Sequence, residues 1–114
     1  MKIKITEIHF KDEKIEKYAL KRVGGLEKYH RDIQLLTVRL TTEKNHRNQN
    51  HTAFCELQFD IPGKNFVIKD SEKEIDKAID KAVERAKRTL IKYKEKEISK
   101  KHNAAIKAKR LRRR

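Results

Sequence analysis

Hydrophobic and polar positions alternate at the start of the chain and then change period. Residues 2–6, KIKIT, set Ile3 and Ile5 against flanking lysines, the pattern of a short strand with one solvated side. Asp12 is a favoured N-cap, and Ile15, Tyr18, Ala19, Val23, Leu26 and Tyr29 then recur at helical spacing, which predicts a helix over roughly 13–30. Gly24-Gly25 lies inside this helix at a cost of about 1 kcal/mol per Gly relative to Ala. The pair reads either as room for another backbone or as a weak point. Residues 33–42 return to alternation, with Leu36, Val38 and Leu40 inward and Thr37, Arg39 and Thr41 outward. Residues 43–51 are wholly polar and predict a loop. Residues 52–61 put Ala53, Cys55, Leu57, Phe59 and Ile61 on one face. Pro62-Gly63 suits the centre of a type II turn, and 64–69 reads as a last strand.

The longest pattern follows, over 71–97. Ser71 predicts an N-cap, completed to a capping box by Glu74. Ile75, Ile79, Ala82, Val83, Ala86, Leu90 and Tyr93 form the apolar stripe of a helix facing a core. Residues 98–114 lack a sustained apolar face; they are expected to prolong the helix at most briefly and to form a basic tail, mobile in isolation. No internal repeat is present. The order is β-α-β-β-β-α. A strand-helix-strand start predicts a right-handed crossover and a parallel pair, and the next two links are hairpins. The expected fold is α+β, one four-stranded mixed sheet with two helices packed on one face.

Charge changes this picture from a generic domain to one with a polyanionic partner. The formal charge is +14, and Lys81 to Arg114 hold 15 Lys/Arg against 3 acids, while residues 1–80 hold 16 bases and 14 acids. Such asymmetry points to nucleic acid or an anionic membrane. Within the long helix the signs are sorted. At about 100° per residue, Lys77, Lys81, Arg85, Arg88, Lys92 and Lys96 share one flank and Asp76, Asp80, Glu84 and Glu95 another. The basic run covers about 28 Å at 1.5 Å per residue. In the first helix Lys14, Lys17, Lys21 and Lys28 gather opposite Glu13, Glu16 and Glu27. With both helices on one face of the sheet, these basic flanks are expected to border a common groove, where phosphate contacts supply affinity without reading sequence.

Other chemistry is poorly represented. Tyr18, Tyr29 and Tyr93 lie on or beside the apolar stripes, which favours core or rim packing over base stacking. His46, His51 and Cys55 lack the spacing of a zinc site. The single Cys excludes an internal disulfide and suits a reducing cytosol. There is no Gly-rich phosphate loop and no activated nucleophile, so neither an enzyme, nor a cofactor, nor a small-molecule substrate is expected. MKIKITEIHF shows no signal-peptide pattern, and no stretch approaches the roughly 20 apolar residues of a membrane span. A cytoplasmic protein without membrane attachment is expected.

The segment Glu74-Ile75-Asp76-Lys77-Ala78-Ile79-Asp80, followed by Arg85, Arg88, Lys92, Lys94 and Lys96, resembles the C-terminal helix of the bacterial ribosome hibernation factors, the hibernation-promoting factor and ribosome-associated inhibitor family. Leu26-Glu27-Lys28-Tyr29 resembles the end of that family's first helix. The resemblance covers roughly 1–97 and is to the short, single-domain form. It implies a ribosome-binding domain over 1–97 that occupies the mRNA/tRNA channel of the small ribosomal subunit at the A and P sites, contacts its rRNA, and silences idle ribosomes. A monomer off the ribosome is expected. The RNA-binding residues expected on charge and resemblance together are Lys21, Arg22, Lys28, Lys81, Arg85, Arg88, Lys92, Lys94 and Lys96. Asp76 stands where the family often has Tyr, and Gly25 where a base is common. Two other classes compete. A general double-stranded RNA-binding module usually begins with a helix and carries bases at the start of its last helix, whereas here SEKEID is acidic. A protein targeted by its tail, KAKRLRRR, leaves the ribbon on the folded helices unexplained.

Overall fold

The computed structural model describes the backbone of residues 1–44 and 51–112, and the side chains of 1–43 and 51–96. Strand β1 is Lys2–Ile8, helix α1 Glu13–Gly24, strand β2 Leu35–Lys44, strand β3 His51–Ile61, strand β4 Lys64–Glu72 and helix α2 Ile75–Arg112. A 3-10 segment, Gly25–Tyr29, continues α1. The sheet order is β1-β2-β3-β4. The pair β1–β2 is parallel, with Ile5 opposite Val38, and both other pairs are antiparallel, with Val38 opposite Leu57 and Leu57 opposite Ile68. This is the mixed sheet expected from the β-α-β-β-β-α order.

The alternating pattern explains why the helices cover one face. Leu36, Val38, Leu40, Ala53, Cys55, Leu57, Phe59, Ile61 and Ile68 point to the same side and are buried. Ala19, Val23 and Leu26 from the first helical run, and Ala78, Ile79, Ala82, Val83, Ala86 and Leu90 from α2, close over them. Each large side chain here contributes roughly 1.5–3 kcal/mol by leaving water. Truncating Leu57 or Phe59, both fully buried at the sheet centre, is the kind of change that costs about 3–5 kcal/mol. Gly63 takes φ +85 in the β3–β4 turn, the left-handed position a type II turn demands after Pro62.

Four local expectations change. Asp12 caps α1 as predicted, its Oδ1 accepting from the Lys14 amide at 2.9 Å. The α-helix, however, stops at Gly24 and tightens into the 3-10 turn, so Gly24-Gly25 is a weak point. A Cβ built on either glycine meets nothing within 4 Å, so no neighbouring backbone requires them. At the other helix, Ser71 and Glu72 belong to β4, where they pair with Phe54 and Ala53. The capping box does not form, because the sheet ladder takes these residues and α2 begins only at Ile75. Finally, the backbone stays helical past residue 97 through Arg112, in a stretch without Gly or Pro and rich in Ala, Lys and Arg. The predicted loop shrinks, since β2 runs to Lys44 and β3 starts at His51; the rest of it, with His46, lies outside the described residues.

Candidate nucleic-acid interface

Helix α2 lies between two neighbours and meets each with a different sign. Toward α1 it presents Asp80. The Arg22 Nε donates to Asp80 Oδ1 at 3.0 Å, and the Tyr18 hydroxyl donates to the same oxygen. The hydrogen bond to this carboxylate, reinforced by burial, raises the Tyr18 pKa above its usual value, because ionising the phenol would lose the bond and add a second negative charge. Toward β4 the helix presents bases. Lys81 Nζ lies 3.4 Å from Glu72 Oε1, and Arg85 Nη1 lies 3.4 Å from Asp70 Oδ1. Asp70 is only 7% exposed, and its second oxygen has no hydrogen-bond partner, so Arg85 is the cation that makes its burial tolerable.

Past these contacts the outer flank is open. Arg88, Lys92 and Lys96 are exposed and form no ion pair among the described residues, although Arg88 borders a hollow that also holds Asp70, Asp80 and Glu84. Lys21 and Lys28 are exposed on the first helical run. Lys94 is on the other side of α2, lining a hollow of about 280 Å3 with His30, Arg31 and Asp32. The nine expected residues therefore do not share one groove. The basic flank of α2 overhangs β4 and points away from α1, while the flank facing α1 carries Asp80. Of these residues, Arg22 and Lys28 border a cleft between the helical runs, while Lys81, Arg85 and Arg88 line a separate hollow that also holds Asp70, Asp80 and Glu84.

What does lie between the helical runs is a smaller cleft, lined by Arg22, Gly25, Leu26, Lys28, Tyr29, Val83, Glu84 and Lys87. Lys87 is absent from the residues expected from sequence. It stands two turns beyond Asp80 on the same flank, where the sign switches from acid to base, and that switch was the available signal. Its Nζ lies 5.5 Å from the centroid of the Tyr29 ring, and Lys28 Nζ lies 5.2 Å from the same centroid. Tyr18, Tyr29 and Tyr93 all pack against the core, as their spacing suggested, and Tyr93 also stacks on His30 at 5.4 Å. Cys55 is buried, and burial with the nearby Asp70 charge pushes its thiol pKa up to about 12, which makes it a core residue and not a nucleophile.

The chain is a two-layer α+β domain with a basic helical surface, and the comparisons make its class specific. The Sigma 54 modulation protein / S30EA ribosomal protein family matches residues 3–98, and the chain belongs to that family of ribosome-associated modulators. Among solved structures, the fold is similar to a ribosomal subunit interface protein from Coxiella burnetii, with TM-score 0.72 and 15% identity over 82% of this chain and 98% of that one. It is also similar to the N-terminal domain of Thermus thermophilus Protein Y, with TM-score 0.67 and 22% identity over 82% of this chain and 99% of that one. No curated protein matches the chain in sequence. No helix among the described residues is long and apolar enough to cross a membrane.

Proposed function

We propose that this protein is a ribosome hibernation factor that binds the rRNA of the small ribosomal subunit in the mRNA/tRNA channel, across the A and P sites, and inhibits translation in idle ribosomes. The observation that carries this reading is the open row Arg88, Lys92 and Lys96 on a rigid helix of a chain that belongs to this family. These bases are positioned before binding, so little ordering entropy opposes their use. Over eight residues they span about 12 Å, enough to follow one stretch of RNA backbone. Lys21 and Lys28 add charge from the other helical run, and Lys94 and Lys87 from the α1 side of α2. Lys81 and Arg85 contribute charge but remain tied to β4. The partner is a folded polyanion, so shape and phosphate spacing, not base sequence, guide binding. Occupancy of this channel excludes mRNA and initiator tRNA, which accounts for inhibition without any catalytic step. The protein acts as a monomer in the cytoplasm, and the basic segment 98–114 adds electrostatic reach.

The test is ribosome pelleting over a range of salt, paired with cell-free translation. Binding is expected to weaken steeply as salt rises, with a log–log slope of about −0.9 per phosphate neutralised on helical RNA. Synthesis is expected to fall when the protein is added before initiation and to resist it afterwards. A flat salt dependence, or equal inhibition of empty and elongating ribosomes, would overturn the reading.

A further inference from the structure

We infer that the free edge of β4 is a docking site for an acidic, extended segment of a partner protein, which adds to the sheet as a fifth strand with its carboxylates against Arg88 and Lys92. The inference stands on this edge and the helix flank beside it, and does not depend on the ribosome reading.

Among the described strands the sheet ends at β4, which pairs only with β3. Lys64–Glu72 keep one continuous register with β3, without a bulge or a Pro to blunt the edge. The direction of each amide follows from the turn. Ile61 and Lys64 flank the two-residue Pro62-Gly63 turn as its closing bonded pair, so Phe66, Ile68, Asp70 and Glu72 bond to β3. The N–H and C=O of Asn65, Val67, Lys69 and Ser71 then point outward. The Asp60 carbonyl agrees: it accepts from the Gln34 amide at 2.9 Å, on the β2 side, so Asp60 and Asn65 are a non-bonded pair across β3 and β4. Four residues at every second position thus offer the donors and acceptors that an added strand takes up. The helix beside this edge selects the strand. α2 runs antiparallel to β4, fixed by Lys81 against Glu72 and Arg85 against Asp70 at one end and by Lys64 Nζ over the Tyr93 ring at the other. Arg88 and Lys92 lie between these points on the same flank as Lys81 and Arg85, alongside Ile68 and Phe66. Asp70 and Glu72 are already paired with Arg85 and Lys81, whereas Arg88 and Lys92 are exposed and form no ion pair among the described residues. Glu84 shares a hollow with Arg88 without pairing with it. A strand about 4.8 Å beyond β4 directs alternate side chains to this flank and the others to the outer face, where Val67 is 55% exposed. Carboxylates suit the first set and an aliphatic residue the second, so the fitting segment alternates acid, aliphatic, acid. A second copy of this chain suits the edge poorly, because antiparallel β4–β4 pairing about a two-fold axis sets two basic flanks face to face.

The experiment uses the full chain and a fluorescent peptide of about ten residues alternating Glu and Val, long enough to match one strand. Binding is read by fluorescence anisotropy and the edge by amide hydrogen exchange. The amides of Asn65, Val67, Lys69 and Ser71 are expected to exchange quickly in the free chain and to slow at least roughly tenfold with peptide. Arg88→Glu with Lys92→Glu is expected to weaken peptide binding roughly tenfold or more, because like charges then oppose each other. Val67→Pro removes one outward N–H and leaves the bonds to β3, and is expected to weaken binding roughly tenfold. The same point is tested without altering the chain by a peptide N-methylated at every residue, which keeps its charges but cannot pair as a strand and is expected not to bind. Equal binding of that peptide, equal binding of a Lys-Val peptide, or Glu-Val binding that leaves the four amides unprotected overturns the proposal. Protection of these amides by a short oligoribonucleotide at lower concentration than by peptide also overturns it and assigns the edge to RNA. Protection that appears on concentrating the chain alone assigns it instead to a second copy. None of these readings uses ribosomes, so they judge the edge even if the hibernation reading falls.

Discussion

The two seams of α2 use opposite charges for the same purpose. Against α1 the helix provides the carboxylate, Asp80, and receives Arg22 and Tyr18. Against β4 it provides the cations, Lys81 and Arg85, and meets Glu72 and Asp70. Charge sorting along the first three turns of α2 is therefore largely explained by the protein itself. Beyond Arg85 the explanation ends. Arg88, Lys92 and Lys96 continue the same ribbon without an ion pair among the described residues, and Lys87 and Lys94 turn the formerly acidic flank basic. A single stripe of like charge in the sequence thus contains a half that neutralises the fold and a half that is left for a partner.

Reversing the second half is expected to have the largest effect on binding. In Arg88→Glu with Lys92→Glu and Lys96→Glu, three phosphate contacts are lost, which lowers the salt slope by about 3 and weakens ribosome binding by roughly 10³ at moderate salt. The melting temperature should stay within a few degrees of the native value, since exposed substitutions away from special features usually change stability by less than about 0.5 kcal/mol. A large loss of stability in this variant would mean that the open row has structural partners after all.

Reversing the first half should do the opposite. Arg85→Glu sets a second carboxylate beside the buried Asp70, so the expected cost is about 1–3 kcal/mol, moderated because the Arg85 side chain is 60% exposed. For a domain of this size that is a fall of roughly 4–20 °C in melting temperature. Adding Asp70→Asn should restore most of it, and thermal melts of the single and double variants decide the matter. If Arg85→Glu melts like the native chain, Asp70 does not depend on this cation.

Much of this was legible in the sequence, but unevenly. The order of elements and the inward face of every strand follow from periods of 2 and 3.6, which are local properties. Ala53, Cys55, Leu57, Phe59 and Ile61 could be assigned inward because nothing distant alters that alternation. The Ser71–Glu74 capping box failed because a local signal competed with a non-local one, the pairing of Ser71 with Phe54. The site was harder still. Helical projection shows which bases share a flank but not which neighbour that flank meets, since this depends on how α2 is rotated in the assembled layer. The Arg85–Asp70 contact joins a helix to an edge strand, and the Lys87–Tyr29 contact joins α2 to a 3-10 turn that the pattern had read as α-helix. Neither can be seen before packing is known.

At the α1 seam a smaller effect is expected. Arg22→Ala leaves Asp80 with the Tyr18 hydroxyl and water, and both partners are substantially exposed, so the loss should be roughly 0.5–1 kcal/mol. Chemical denaturation should show the change in midpoint with the slope unaltered. A change as large as that of Arg85→Glu would erase the distinction between an exposed seam and one with a buried carboxylate.

The smallest effect isolates one hydroxyl and needs alkaline pH to be seen. Tyr18 is half-buried and donates to Asp80, and its pKa in the folded chain is raised from 10.0, with that hydrogen bond the largest cause. The neutral phenol is thus favoured by folding. Between the unfolded and folded pKa values the folded state holds more protons, so unfolding free energy declines as pH rises. The contribution of Tyr18 is fully present below about pH 10 and is lost as pH climbs through the raised folded value. Many lysines also titrate in that range, so the native curve alone is uninformative. The difference between the native chain and Tyr18→Phe is the useful quantity, because both share those lysines. Denaturation at several pH values should show the variant less stable at neutral pH and the gap shrinking above pH 10. A gap that stays constant through the alkaline range would mean that the hydroxyl does not depend on the Asp80 carboxylate, and that the α1 seam rests on Arg22 alone.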